Sequence, residues 1–238
     1  MHGNFDWPMN APEPLVIAIL GAESTGKTQL AQGLSARLVR ETGLRCTWVP
    51  EHLRAWCNTK QRTPLEHEQA DIARAQQQEI EAAAATHDVV ICDTTPLSTA
   101  VYSQWVFGDD SLTAQAALWQ RRCAITLLTA LDLPWQADGL RDGPHARGPV
   151  DDLFRRALLA HQLPWAGVYG RGTQREESAL DAIAPLLRRR AMPRDGLFTR
   201  LAERGEESSR WTWRCDTCDV PDCEHLALQL RRAAADPR

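Results

Sequence analysis

Short apolar stretches alternate along the chain with stretches in which apolar residues recur every three to four positions. The apolar stretches have the length of strands, and they lie at 15–20, 44–50, 88–93, 124–130 and 165–170. Between them, spacings such as Leu30, Leu34 and Leu38 place apolar side chains on one helix face. Strands that are apolar throughout and separated by helices are typical of a parallel sheet covered on both faces. The pattern therefore predicts an α/β fold with a five-stranded parallel sheet sandwiched by helices.

The same pattern divides the chain into an arm, a main domain and an extension. Residues 1–14 form a short Pro-rich arm, and the alternation of strands and helices occupies residues 15–190. The Gly- and Pro-rich stretch 133–149, between a strand and a helix, predicts a mobile loop of the kind that serves as a lid. The alternation then stops, so 191–238 is predicted to be a small C-terminal appendage.

Composition narrows the class of protein. A chain of 238 residues with 43% hydrophobic residues can bury one good core. The net charge of −4 gives no sign of a nucleic-acid or membrane surface, and no apolar stretch approaches the ~20 residues of a membrane span. The N-terminus lacks the basic and apolar regions of a secretion signal, so we expect a cytoplasmic protein with a small-molecule partner. The sequence leaves the oligomeric state open.

A phosphate-binding sequence lies between the first predicted strand and the following helix. GAESTGKT at 21–28 matches G-x-x-x-x-G-K-[ST] in full, and the alternative is a chance Gly-rich turn. Such a loop points successive backbone N–H groups into one concavity, to which the helix N-terminus adds positive charge. Lys27 is expected at the β- and γ-phosphates of ATP, and Thr28 at Mg²⁺. The candidate nucleotide-binding residues of the loop are Gly21, Glu23, Ser24, Thr25, Gly26, Lys27 and Thr28.

Charged residues follow two further predicted strands at the same edge of the sheet. Asp93 ends the third strand, where a P-loop fold needs a second Mg²⁺ anchor, although aspartate is also common at strand ends. Glu51 and Arg54 follow the second strand. A carboxylate at this position could take the proton of an attacking hydroxyl, and an arginine could steady it or the transferring phosphoryl group. The alternative is a solvated helix start with an acidic first turn.

Other candidate residues could contact an acceptor. Residues 76–78 are three glutamines on the helix predicted for 65–86. One of them, with Gln77 as the candidate, could hydrogen-bond a sugar or base if it faces inward, although exposed glutamine is more common. Tyr102 and Trp105 share a helix face and could stack a planar ring, although aromatic pairs at this spacing are also common in cores. Four residues of the 133–149 loop could close over substrate and phosphates: Trp135, Asp138, Arg141 and Arg147.

The order of these motifs resembles a known family. GAESTGKT, PEHLR, a Gln-bearing helix, DTTPLSTAVYSQWVFG, DLPWQADGLR and VYGRGTQR resemble the nicotinamide riboside kinase domain of bacterial bifunctional NAD-synthesis proteins. The resemblance covers about 15–187, and GAESTGKT and PWQADGLR are its most specific parts. PEHLRAWCN also looks like the corresponding stretch of deoxynucleoside kinases.

The resemblance implies an activity and roles for individual residues. ATP would phosphorylate the ribose 5′-hydroxyl of nicotinamide riboside to give nicotinamide mononucleotide, with Glu51 serving the hydroxyl. Trp105 or Tyr102 would stack the nicotinamide ring, and Arg141 and Arg147 would be the lid arginines. Arg175, after the last strand, lies where such kinases touch adenine.

This sequence departs from that family in three places. Pro50 stands where an aromatic residue often precedes the glutamate, and the usual D-T-D reads Asp93-Thr94-Thr95, without its second carboxylate. No H-x-G-H nucleotidyltransferase signature is present in the sequence. The first two departures are expected to affect the substrate ring pocket and the magnesium site.

The cysteines form two groups. Cys46, Cys57, Cys92 and Cys123 are scattered among apolar neighbours, where free cysteine packs as a small apolar residue. Near the C-terminus, the sequence CDTCDVPDCEH has the ligand types and C-x-x-C spacing of a tetrahedral zinc site, with four surface residues as the alternative. The candidate Zn²⁺ ligands are Cys215, Cys218, Cys223 and His225.

Other functions remain open from sequence alone. A kinase for another nucleoside, deoxynucleoside or vitamin-like alcohol would keep Glu51 and the lid and change the ring pocket. A nucleotide-sensing regulator without catalysis would not need an acceptor base, so the presence of Glu51, Asp93 and two lid arginines favours an enzyme. Glu51 and Asp93 could also exchange their roles as base and metal anchor.

Overall fold

The computed structural model describes residues 13–137 and 143–188. Five strands form one parallel sheet in the order β2-β3-β1-β4-β5. The fold class predicted from the sequence is therefore confirmed for the described residues. The strands are β1 (Leu15–Leu20), β2 (Cys46–Val49), β3 (Val89–Asp93), β4 (Ile125–Thr129) and β5 (Trp165–Val168).

Seven α-helices connect and flank the strands in the part of the chain that the structure describes. They are α1 (Lys27–Thr42), α2 (His52–Lys60), α3 (Gln69–Ala84), α4 (Pro96–Phe107), α5 (Thr113–Gln120), α6 (Arg147–Ala160) and α7 (Thr173–Arg188). Two short 3₁₀-helices precede α3 and α6, at Glu66–Glu68 and Pro144–Ala146. No helix among these elements is long and apolar enough to cross a lipid bilayer.

The core lies on both faces of the sheet, because every residue of β1 is buried. Successive residues of β1 point to opposite faces, so Val16, Ala18 and Leu20 share one face. On that face, Val16 and Ala18 pack with Ile80 of α3, and Leu20 packs with Leu97 of α4 and with residues of α6. Helices α1 and α7 contact each other and the sheet. This arrangement leaves the carboxyl ends of the strands as the open edge where a ligand site can form.

Differences from the sequence-based predictions lie at the ends of elements. The fifth predicted strand extends to residue 170, whereas β5 ends at Val168, and Gly170 has a φ of 90° that ends the extended backbone. The predicted loop 133–149 becomes helical from Pro144, since the fixed φ of proline suits the first turn of a helix. The predicted arm 1–14 lies largely outside the described residues, and the C-terminal appendage 191–238 lies wholly outside them.

Candidate active site

The phosphate-binding loop is held against the end of β4. Gly21 has a φ of 145°, and a Cβ at this position would lie 2.2 Å from Oγ1 and 3.0 Å from the carbonyl oxygen of Thr129. Only glycine fits this conformation and this close approach. At the other end of the loop, Gly26 has a φ of 76° and is the N-cap residue of α1. The predicted order of strand, loop and helix is therefore present, with the loop at the N-terminus of α1.

Side chains within the loop bind its own backbone. Thr25 is fully buried, and its hydroxyl donates to the carbonyl of Ala22 at 2.8 Å. The Thr129 hydroxyl lies 2.7 Å from that of Thr25, which ties the loop to β4. The ammonium of Lys27 donates to the same Ala22 carbonyl at 2.9 Å. Lys27 is thus folded over the loop. Glu23, four residues earlier in the same loop, is partly exposed.

Asp93 joins β3 to the phosphate-binding loop. Its Oδ2 accepts a 2.5 Å hydrogen bond from the hydroxyl of Thr28, the second residue of α1. Asp93 is 2% exposed, and this burial raises the pKa of its carboxyl, against the opposing effects of Thr28, Lys27 and Arg54. Its Oδ1 is buried and has no hydrogen-bond partner among the described residues. A buried carboxylate oxygen beside a P-loop threonine hydroxyl fits the oxygen ligands that Mg²⁺ prefers.

The two threonines after Asp93 serve the backbone and the core. Thr94 has a φ of 71°, and its N–H donates to the carbonyl of Ile19 in β1. Thr95 is fully buried, and its hydroxyl donates to Gln120 Oε1 at 2.7 Å. The amide of Gln120 in turn donates to Thr126 at 2.9 Å. The family that this sequence resembles usually has a second carboxylate at position 95. Here Thr95 occupies that position, in an uncharged hydrogen-bonded network with Gln120 and Thr126.

Glu51 and Arg54 lie at the end of β2, on the same edge of the sheet as Asp93. Glu51 is the N-cap residue of α2, and its Oε2 is 3.7 Å from Nε of Arg54. Burial raises the pKa of Asp93 overall, and the positive charge of Arg54 is one of the opposing effects. Because β2, β3 and β1 are adjacent, Glu51, Asp93 and the phosphate-binding loop follow one another along the edge.

The predicted lid contacts the phosphate-binding loop. Ser24, which has a φ of 56°, donates its hydroxyl to the Gln136 carbonyl and accepts from the Gln136 N–H, both at 3.0 Å. Trp135 Nε1 is buried without a hydrogen-bond partner in the described ranges. Arg147 is the first residue of α6, and its Nε and Nη2 are likewise buried and unpartnered there. Asp138 and Arg141 lie outside the described residues.

The aromatic candidates pack against the core. The rings of Tyr102 and Phe154 are 6.4 Å apart and meet edge to face at 73°. Trp105 and Tyr102 both pack against the cluster of buried apolar residues to which Phe154 belongs. Both residues are only partly buried, so each retains exposed surface on α4.

Of the three glutamines on α3, the structure turns Gln76 inward. Gln76 is 2% exposed and bonds to the backbone on both sides of Glu51, whereas Gln77 donates to Glu81 of its own helix at 3.1 Å. The sequence contains a signal for this, because Gln76 is four residues from Ile72 and from Ile80, both buried. Gln77 is the candidate that the sequence predicts from the run 76–78, whereas Gln76 is the glutamine that the structure turns inward.

Arg175 ties together the loops that follow β4 and β5. It is 3% exposed, pairs with the carboxylate of Asp132 and donates from Nε to the Gly170 carbonyl at 2.9 Å. Asp132 also accepts a hydrogen bond from the Gly170 N–H at 2.7 Å. Burial lowers the pKa of the Arg175 guanidinium. Its Nη1 is buried and has no partner within the described part of the chain.

The candidate zinc ligands Cys215, Cys218, Cys223 and His225 all lie outside the described residues. Among the residues that the structure describes, no group of three or more His, Cys, Asp or Glu side chains could hold a metal ion.

Comparisons with known proteins place the fold. Residues 16–175 match the AAA domain family. A crystal structure of NadR protein in complex with NR superposes with a TM-score of 0.59 and 19% identity, over 73% of this chain and 51% of that chain. Thymidylate kinase from Ehrlichia chaffeensis superposes with a TM-score of 0.52 and 16% identity, over 74% of this chain and 100% of that chain.

These structural matches show the fold. NadR protein has also been crystallised in complex with NAD and AMP-PNP, and that structure gives a TM-score of 0.57 at 17% identity. The chain spans about half the length of the NadR chains that it matches, 51% and 49%. The comparison with curated protein sequences gives no match. The common ground is a P-loop kinase-like fold.

Proposed function

The chain belongs to the AAA domain family, and from this premise we propose that it is a small-molecule kinase that phosphorylates the ribose 5′-hydroxyl of nicotinamide riboside. The observation that carries the proposal is the arrangement along the open sheet edge. A carboxylate after β2, a buried carboxylate at the end of β3 and the phosphate-binding loop after β1 lie at the carboxyl ends of three adjacent strands. This order supplies an acceptor base, a metal anchor and a phosphate cradle side by side.

Two observations favour nicotinamide riboside as the acceptor. The motifs PEHLR and PWQADGLR resemble those of nicotinamide riboside kinase domains, and NadR protein, whose structure contains NR, has the same fold. The acceptor carries a cationic pyridinium ring, which suits the face of an aromatic side chain. Tyr102 and Trp105, which share α4, are our candidates for that contact.

The reaction assigns a task to each residue along the edge. Backbone N–H groups of residues 21–28 hold the ATP phosphates, and Lys27 exchanges the Ala22 carbonyl for phosphate oxygens. Thr28 and Asp93 would hold Mg²⁺, which supplies charge neutralisation at the phosphates when bound. Asp93 Oδ1, buried and unpartnered within the described residues, is the atom best suited to that role.

Glu51 carries the acceptor chemistry. Its carboxylate accepts the proton of the 5′-hydroxyl while the hydroxyl oxygen forms a bond to the γ-phosphorus, and the bond from that phosphorus to the ADP oxygen breaks. Arg54, 3.7 Å from Glu51, orients the carboxylate. Arg147 and Arg141 belong to the lid segment and would stabilise the charge that develops on the transferring group. Two nitrogens of Arg147 are buried and have no hydrogen-bond partner among the described residues, which supports this role.

A coupled ADP-release assay tests the proposal. The protein is incubated with Mg²⁺, ATP and one of a panel of acceptors that includes nicotinamide riboside, adenosine, thymidine and thymidylate. We expect selective turnover with nicotinamide riboside and formation of nicotinamide mononucleotide. Turnover with another acceptor would keep the kinase and reject the substrate. ATP binding without acceptor-dependent turnover would reject the kinase in favour of a nucleotide sensor.

A further inference from the structure

We propose that Gln76 of α3 is a positioning residue that fixes Glu51 for proton transfer. The inference rests on the proposed function, because it assigns Glu51 the role of base. It adds a residue that the motif pattern does not contain, since Gln76 lies outside PEHLR and on a different helix.

Gln76 binds the backbone on both sides of Glu51. Its Oε1 accepts from the N–H of His52 at 2.7 Å, and its Nε2 donates to the carbonyl of Pro50 at 3.2 Å. One side-chain amide thus satisfies a donor that follows Glu51 and an acceptor that precedes it. The backbone on both sides of Glu51 is therefore bonded to α3, and this limits the direction of the Glu51 Cα–Cβ bond.

The hydrogen bond to His52 also replaces a helix cap. The first N–H groups of a helix have no partner within the helix, and the N-cap side chain commonly accepts from one of them. Glu51 is the N-cap residue of α2 and makes no side-chain capping hydrogen bond. Gln76 supplies the acceptor for the His52 N–H, so the Glu51 carboxylate is not used to cap its own helix.

The support itself is rigid. Gln76 is 2% exposed and lies between Ile72 and Ile80, which are buried on the same face of α3. The same helix makes a second contact to α2, because Nδ1 of His52 lies 2.7 Å from Oε1 of Glu79. An amide that is buried and bonded at both ends stays in one orientation, and misplacing a catalytic group by about 1 Å can cost about a hundredfold in rate.

The test compares Gln76→Met with Gln78→Met. Methionine keeps the length of Gln76 and removes both hydrogen bonds, while Gln78 is an exposed glutamine on the same helix. For Gln76→Met we expect kcat to fall by about tenfold to a hundredfold, with the Kd for ATP and the acceptor KM changed less than about threefold. Gln78→Met should match the wild type. A lowered melting temperature with an unchanged kcat per folded enzyme would make Gln76 a purely structural residue and overturn the proposal.

Hydrogen exchange of the His52 amide provides a measurement that needs no variant. In the wild-type protein, this N–H is expected to be protected although it begins a helix; fast exchange would show that the Gln76 bond is absent and reject the inference. The wild type and Glu51→Gln are assayed alongside. A wild type without acceptor-dependent turnover, or a fully active Glu51→Gln, would overturn the proposed function and this inference with it. An active wild type, an inactive Glu51→Gln and an unimpaired Gln76→Met would overturn the inference alone.

Discussion

The hydroxyl of Thr28 and the carboxylate of Asp93 are 65 positions apart in the chain and meet at 2.5 Å. Thr28 is the second residue of α1, and Asp93 is the last residue of the adjacent strand β3. The contact occurs because β1 and β3 pair in parallel, with Ile19 opposite Asp93. It brings together the two oxygen groups expected at a magnesium site.

Replacing Asp93 with asparagine should separate stability from ligand binding. The pKa of Asp93 is raised by burial, so its charge destabilises the free protein, and Asp93→Asn removes that charge. We expect the free variant to be more stable by about 1 kcal/mol, or about 2–4 °C in Tm. Its affinity for Mg-ATP should fall by about tenfold or more. Thermal melting and calorimetric titration check both values, with Thr28→Ser as a control that keeps the hydroxyl. Wild-type Mg-ATP affinity in Asp93→Asn would contradict the assignment.

Adding one carbon to Gly21 should damage the phosphate-binding loop. An alanine Cβ would lie 2.2 Å from Thr129 Oγ1 on a backbone with a φ of 145°. We expect Gly21→Ala to cost about 2–4 kcal/mol of stability and to weaken ATP binding. Gly108→Ala is the matched control, since its φ is 72° with no atom within 4 Å of the new Cβ. That variant should lose about 1 kcal/mol, from strain alone. Equal losses in denaturant unfolding would show that the Thr129 contact is unimportant.

The ion pair between Arg175 and Asp132 should respond asymmetrically to mutation. The Arg175 side chain is 4% exposed and that of Asp132 is 34% exposed. Asp132→Asn leaves a buried cation unpaired and should cost about 3 kcal/mol, whereas Arg175→Met leaves a carboxylate that water can reach and should cost less. The double variant should resemble Arg175→Met. Urea unfolding of the three variants measures this, and equal, additive losses would contradict the burial argument.

The thiol of Cys46 should react slowly until the pH is high. Burial raises its pKa to about 11, so at pH 8 only about 0.1% of it is thiolate, the reactive form. Its alkylation rate should therefore rise about tenfold for each pH unit up to about pH 11. Peptide mass spectrometry after timed iodoacetamide treatment follows this residue separately from the other six cysteines. A rate that levels off below pH 9 would show that the thiol is not held in an apolar environment.

The fold was accessible from the sequence because its strongest signals are local. The five predicted strands match the observed ones with differences of at most two residues at their ends, since apolar strands bounded by turn residues leave little ambiguity. The phosphate-binding loop at 21–28 could also be predicted from the sequence. Gly21 and Gly26 have positive φ, a conformation that favours glycine, so the conformation of the loop is reflected in its glycines. The carboxyl edge of the sheet then follows from the parallel order of the strands.

The contacts that hold the site together were not accessible in the same way. The role of Gln76 depends on how α3 packs beside the turn between β2 and α2, and the three consecutive glutamines have the same local chemistry. Arg175 was assigned to the adenine through the resemblance, and the structure shows it bonded to Asp132 and Gly170. Both arrangements join residues that are distant in the chain, so no local pattern specifies them. The assigned roles of the site residues stay predictions.

Acceptor-dependent ADP release by the wild type and by Glu51→Gln, measured beside ATP affinity, tests the central claim most directly. Glutamine has nearly the same shape as glutamate and cannot accept the hydroxyl proton as a carboxylate does. The account predicts turnover with nicotinamide riboside in the wild type, a loss of at least about a hundredfold in Glu51→Gln, and the same Kd for ATP in both. Residual transfer with weakened ATP binding in Glu51→Gln would contradict it, because Glu51 would then support the metal and Asp93 would be the base.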